Sequence, residues 1–209
     1  MTLILATVFK QGAVLVADRR TLVSSRTTGE QGVLTDEAEK LFVVEGLAMG
    51  VVGHSKRLED SAEKVVSDWL RKTFDSKKDI EIQLRKLYSD KFSTGKYGYF
   101  IAAYSDKEGT TIINTWKEFE VYKKTNPDRF KIKFFGSGNM VGSALVEKAH
   151  PVFESFDIDK ILNFSAEIIE HTHDELEKDK AKINGVGRNV MAAVVTPGQA
   201  KLLQWFPDK

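Results

Sequence analysis

Hydrophobic residues open this chain in two short runs, Thr2–Phe9 and Ala13–Ala17, separated by the polar turn Lys10-Gln11-Gly12. Short apolar runs on either side of a glycine-containing turn predict a β-hairpin. Folding back about that turn places Thr2 across from roughly Arg19 to Thr21 and brings Asp18 to the same end as the chain start. Arg19–Glu39 is polar and reads as one long connection. Lys40–Val44, the turn Glu45-Gly46 and Leu47–Val52 predict a second hairpin, apolar enough to be covered on both faces. If the Lys40 strand lies beside the strand ending at Asp18, then Thr2, Asp18, Lys40 and Gly53 converge on one sheet end. Such adjacency holds for about two-thirds of sequential strands.

From Ser55 the period changes to that of a helix, with Leu58, Ala62, Val65, Val66, Trp69 and Leu70 on one face. A second helix is predicted over Ile80–Phe92. Strands resume at Tyr97–Tyr104, Thr110–Thr115, Lys117–Tyr122 and Phe130–Phe135. Gly136-Ser137-Gly138-Asn139 then leads into a helix through Ala149. Ile158–Leu176 is a long amphipathic helix striped by Ile161, Leu162, Ser165, Ile168, Ile169 and Leu176. Asn189–Val195 and Lys201–Phe206, joined by Thr196-Pro197-Gly198-Gln199, close the chain as a hairpin. Strands in antiparallel pairs and helices in blocks predict an α+β fold, a four-layer αββα sandwich of two antiparallel sheets flanked by helices. The same pattern argues against βαβ units, and so against reading Gly136–Gly142 as a nucleotide loop.

Composition narrows the chemistry. The 209 residues match one domain, 1–209, of ordinary globular make-up, with 42% hydrophobic and 29% charged residues. A net charge of +1 gives no basic surface for nucleic acid. The first apolar run is too short to span a membrane and has no basic leader, so a cytoplasmic protein is expected. With no cysteine in the sequence, thiol catalysis, disulfides and zinc-thiolate sites are excluded. His171 and His173 stand two apart on a helix and face different ways, so no metal pair is expected. No cofactor is expected either. His54 is expected at the surface, and Arg19 and Arg20 in a loop, with one of them bracing the Asp18 corner.

What remains is Thr2. Once Met1 is removed, it carries a hydroxyl nucleophile and a free α-amine that can serve as its base. Several stretches support that reading together. They are Thr2, Gly12-Ala-Val-Leu-Val-Ala-Asp-Arg-Arg20, Glu39-Lys-Leu-Phe42, Gly46-Leu-Ala-Met-Gly-Val-Val-Gly53 and Gly136-Ser-Gly138 before a helix. In this order and spacing the chain resembles the proteasome β-subunit family of N-terminal-nucleophile hydrolases, which includes the HslV-type peptidases. The resemblance covers most of the length and is strongest over the first seventy residues.

The resemblance implies that Thr2 is the nucleophile and Lys40 the lysine that favours its ionised hydroxyl. It makes Asp18 the carboxylate holding that lysine, the Gly53 N–H the oxyanion donor, and Ser137 the partner of the N-terminal amine. It also implies a peptide or protein substrate, a ring-like homo-oligomer and an ATP-dependent unfoldase as a partner to look for. One departure stands out. The family places an Asp and, three residues later, a Ser before the penultimate strand. Here Lys182-Ile-Asn-Gly-Val-Gly-Arg-Asn189 has neither, and Asn184 and Asp179 are the nearest substitutes. Three functions therefore stay open. The first is a threonine amidohydrolase working as a peptidase. The second is an acyl-transferring relative with the same acyl-Thr intermediate, and the third a non-catalytic assembly or binding subunit.

Overall fold

The computed structural model describes residues 2–9, 11–24, 31–53, 61–124, 131–136, 139–149, 158–179 and 184–203. The first hairpin forms as expected, β1 (Leu3–Phe9) pairing with β2 (Gly12–Asp18) in a register that sets Ile4 opposite Ala17. Within the polar connection a two-stranded sheet appears, β3 (Thr21–Ser24) with β4 (Gln31–Thr35). The single long loop expected there is corrected accordingly. Thr21, Val23, Val33 and Thr35 are β-branched, but half of the surrounding residues are polar, which hid the strand signal.

Strands β5 (Leu41–Val44) and β6 (Leu47–Val52) follow, then helix α1 (Ala62–Lys72). The helix starts later than its periodicity implied. Ser61 caps it, its hydroxyl accepting from the Lys64 N–H at 3.1 Å, while Ser55 and Leu58 lie outside the described residues. Helix α2 (Ile80–Leu87), capped by Asp79, runs on into a π-helical turn over Tyr88–Phe92. Strands β7 (Tyr99–Asp106), β8 (Gly109–Asn114), β9 (Glu120–Lys124) and β10 (Lys131–Gly136) lead to helices α3 (Asn139–Ala149) and α4 (Ile158–Glu177). β11 (Val190–Thr196) and β12 (Gln199–Leu203) end the described chain.

The fold is α+β, with three antiparallel sheets among the described residues. One runs β10-β1-β2-β11-β12, a second β5-β6-β7-β8-β9, and the third is the β3–β4 pair. This corrects one premise of the sequence reading. β2 is flanked by β1 and β11, and β5 belongs to the other five-stranded sheet. Sequence neighbours are paired within each hairpin, but the Asp18–Lys40 connection changes sheets.

Alternation along each strand sorts the core. Ile4, Ala6 and Val8 point the same way as Leu15, Ala17 and Met191, and meet Leu41, Ala48, Tyr99 and Ile101 of the other large sheet. Leu3, Leu5, Phe9, Val14 and Val16 point the opposite way, onto Ile161, Leu162, Ala166 and Ile169 of α4. Leu47, Met49, Val51 and Phe100 turn their backs on that first cluster and pack on Val66 and Leu70 of α1 and Leu84 and Leu87 of α2. Strands covered on both faces cannot alternate apolar with polar, which is why β1 and β2 are buried at every position. Each fully buried Leu or Ile side chain in these clusters contributes about 1.5–3 kcal/mol relative to exposure.

Candidate active site

Asp18 is the last residue of β2, where its carboxylate would normally reach solvent, yet it is fully buried. Its four hydrogen bonds explain how a charge is tolerated there. Oδ1 accepts the Leu3 N–H at 2.7 Å. Oδ2 accepts the Arg20 N–H at 2.9 Å, the Gly187 N–H at 3.0 Å and the Lys40 ammonium at 3.2 Å. Backbone N–H groups and a cation take the place of water on both carboxylate oxygens.

Lys40 is 1% exposed and precedes β5. Besides Asp18, its ammonium donates to the Arg20 carbonyl. Its own backbone N–H and that of Leu41 point at the Met191 sulfur, at 3.2 and 3.4 Å, which ties the start of β5 to β11 of the other sheet. Burial pushes the Lys40 ammonium below the usual lysine range, while Asp18, then Glu63 and Asp36, push it back up.

Thr2 is 4% exposed and immediately precedes the Leu3 amide held by Asp18. The Thr2–Leu3 peptide and the Lys40 ammonium therefore sit on the two oxygens of one carboxylate. Across β1, Leu3 is paired with Gly136. Ser137, the next residue, lies outside the described residues, as does His54.

Gly53 follows β6, whose last residue, Val52, is paired with Tyr99. Tyr99 connects this end of the second sheet to Thr2's end of the first. Its phenol accepts a hydrogen bond from the backbone of Gly136, and burial pushes its proton affinity well above the usual tyrosine range. Gly53 thus lies at the same end of the paired sheets as Thr2. A side chain there would be crowded. A Cβ would stand 2.9 Å from the Ala62 Cβ and 3.2 Å from the Tyr97 carbonyl oxygen, so glycine lets α1 and the 97–98 backbone close on the strand end. Trp116, half exposed, stacks on Tyr99 with ring centroids 6.0 Å apart.

The structure thus joins Asp18 to Lys40 and to the N–H of Leu3, the residue after Thr2, and places Gly53 at the same end. It also adds residues that the sequence left unassigned. Gly187 and Met191 have no side-chain chemistry that marks them in a sequence. Arg20 does brace the Asp18 corner: its guanidinium meets both oxygens of Asp36, at 2.6 and 3.0 Å, and its backbone serves Asp18 and Lys40. Asn184 is buried and bonded to His173. Asp179 ends the turn after α4. His171 is exposed and His173 buried, as the helical spacing implies. Among the described residues no helix is long and apolar enough to cross a membrane. No protein-family model and no curated protein sequence matches this chain.

Proposed function

We propose that this chain is an N-terminal threonine amidohydrolase with the four-layer αββα arrangement of the proteasome β-subunit family, cleaving peptide bonds through an acyl-Thr2 intermediate. The observation that carries the reading is the Asp18 carboxylate, fully buried, holding the Thr2–Leu3 peptide with one oxygen and the Lys40 ammonium with the other. A purely structural strand end gains little from a buried lysine–aspartate pair, because desolvation offsets most of the attraction. A nucleophile beside that pair gains a fixed positive charge.

Thr2 is buried, and its α-amine becomes a free base only once Met1 is removed. The freed α-amine, with an ordinary pKa of about 8, is a competent base near neutrality. It takes the hydroxyl proton as Oγ attacks the scissile carbonyl carbon. Lys40 stabilises the negative charge that develops on Oγ. The carbonyl oxygen becomes an oxyanion, which the Gly53 N–H receives. The C–N bond then breaks, the leaving amine takes the proton from the Thr2 ammonium, and the substrate's acyl group stays on Oγ as an ester. Water, activated by the same amine, adds to the ester carbon, and the carboxylic acid departs as Oγ regains its proton. The reading extends to a cytoplasmic homo-oligomer, for which light scattering at micromolar concentration should show a species larger than one chain.

Intact mass after treatment with peptide epoxyketones tests the function. Ring closure by these reagents needs the hydroxyl and the free amine together. Met-free wild type should gain one reagent mass, and Thr2→Ala and Met-retained protein none. An unlabelled wild type across varied peptide sequences, with casein uncut, would leave the non-catalytic subunit as the better reading. Labelling with amine-acceptor products in place of hydrolysis would identify the acyl-transferring one.

A further inference from the structure

Asp18 depends on one hydrogen-bond donor from far along the chain, Gly187, and that donor is held in place by a buried histidine. His173 lies on α4, 6% exposed, with its Nδ1 2.7 Å from the Val186 carbonyl oxygen. A carbonyl can only accept, so Nδ1 carries the proton. The Asn184 amide nitrogen lies 3.0 Å from the same ring nitrogen and donates to the His173 carbonyl at 2.8 Å, while its oxygen accepts the Val186 N–H at 2.9 Å. Residues 184–186 are therefore closed into a turn against α4, and the next N–H, that of Gly187, points at Asp18 Oδ2. A Cβ at Gly187 would stand 2.8 Å from the Arg20 Cβ and 3.0 Å from Asp36 Oδ1. Glycine is what lets the turn come this close.

We infer that His173 is a positioning residue of the proposed active site, acting through Val186, Asn184 and the Gly187 N–H on the Asp18–Lys40 pair. The inference rests on the reading of that pair as catalytic machinery. A histidine suits the task because its ring supplies a donor at a fixed distance from the helix and fills the space an apolar side chain would otherwise take. The charged groups around the ring are three carboxylates and one guanidinium. Glu177, on the same helix, lies 3.8 Å from Nε2. Arg20 Nη1 is 3.7 Å from that glutamate and donates to the Asn184 carbonyl at 3.3 Å. Asp36 sits beyond Arg20, and Asp18 beyond Gly187. Nδ1–H is present in both the neutral and the protonated ring, so the clamp holds in either state.

The test compares His173→Leu, His173→Gln and His173→Asn in the full chain by NMR, without any substrate. Asn places an N–H where Nδ1–H stood, Gln reaches past it, and Leu offers none. Leu and Gln should speed exchange of the Gly187 amide by about tenfold, the worth of one buried hydrogen bond. They should also raise the Lys40 titration midpoint toward the ordinary 10.5, because water reaching the pair relieves the burial that lowers it. Asn should restore both. In Met-free protein, Leu and Gln should slow epoxyketone labelling on the order of tenfold, and Asn should recover it. Lower melting in all three variants, with the Gly187 amide and Lys40 titration at wild-type values, would overturn the inference. If His173→Leu does not fold, the Asn and Gln pair decides in the same way. NMR effects in a wild type that takes no epoxyketone would sink the proposed function and leave the positioning intact.

Discussion

Gly187 donates its backbone N–H to Asp18 across 169 residues of sequence, at 3.0 Å. That bond joins the lead into β11 to the end of β2, and it makes the Asp18 carboxylate the point on which β1, β2, β11 and the Lys40 segment all close. The expected consequences of disturbing this arrangement follow from counting donors.

Asp18→Asn should be strongly destabilising. The carboxylate uses both oxygens, and either orientation of an amide turns an NH2 group toward at least one N–H donor while leaving Lys40 buried without its counter-charge. Breaking a buried pair in this way costs about 3–5 kcal/mol. Urea unfolding at neutral pH measures it, and a loss below about 1 kcal/mol would mean that the four hydrogen bonds are not all made.

Lys40 gives a pH signature with a definite sign. Its folded pKa lies below the ordinary 10.5, so between the two values the unfolded chain binds more protons and stability rises with pH. Below the folded value the cost of a buried charge is fully present. Lys40→Met should remove that alkaline rise, and it should abolish epoxyketone labelling while keeping most of the packing. Urea midpoints from pH 7 to 10 for both proteins provide the check; parallel curves would show that Lys40 titrates normally.

Gly53→Ala should cost about 1–3 kcal/mol, because its new methyl meets the Ala62 Cβ and the Tyr97 carbonyl. Ala62→Gly relieves the first contact. The double variant should therefore be more stable than the sum of the two single losses implies, with a coupling of about 0.5 kcal/mol or more. Additive losses in thermal melts would remove that contact from the account.

Asp36 supplies an acid limb. Its hydrogen bond to Arg20 holds the carboxyl below its usual value, so its contribution is complete above pH 3.8 and is lost as pH falls through the folded pKa. Asp36→Asn should be the less stable protein near neutrality and converge with wild type in acid. The gap is expected to be small, since the Asp36 side chain is 38% exposed and solvent screens the pair. Curves that stay parallel down to pH 2 would show that Arg20 does not lower the Asp36 pKa.

Local pattern alone determined the first hairpin, the second hairpin, the stripe of α4 and the convergence of Asp18 with the chain start. Each of these depends on residues close in sequence, where turn chemistry and period leave few alternatives. Lys40 was expected at that end for the wrong reason, adjacency of its strand to β2. It arrives from the facing sheet, because the β3–β4 excursion carries the chain across after Asp18. Only tertiary structure decided that β11 lies beside β2, that Met191 anchors the start of β5, and that Gly187 and His173 support Asp18. Backbone N–H groups look the same in every residue but proline, so a sequence cannot show which of them a buried carboxylate will find. That choice is made when the sheets stack and a buried charge must be satisfied by whatever donors the packing brings within reach.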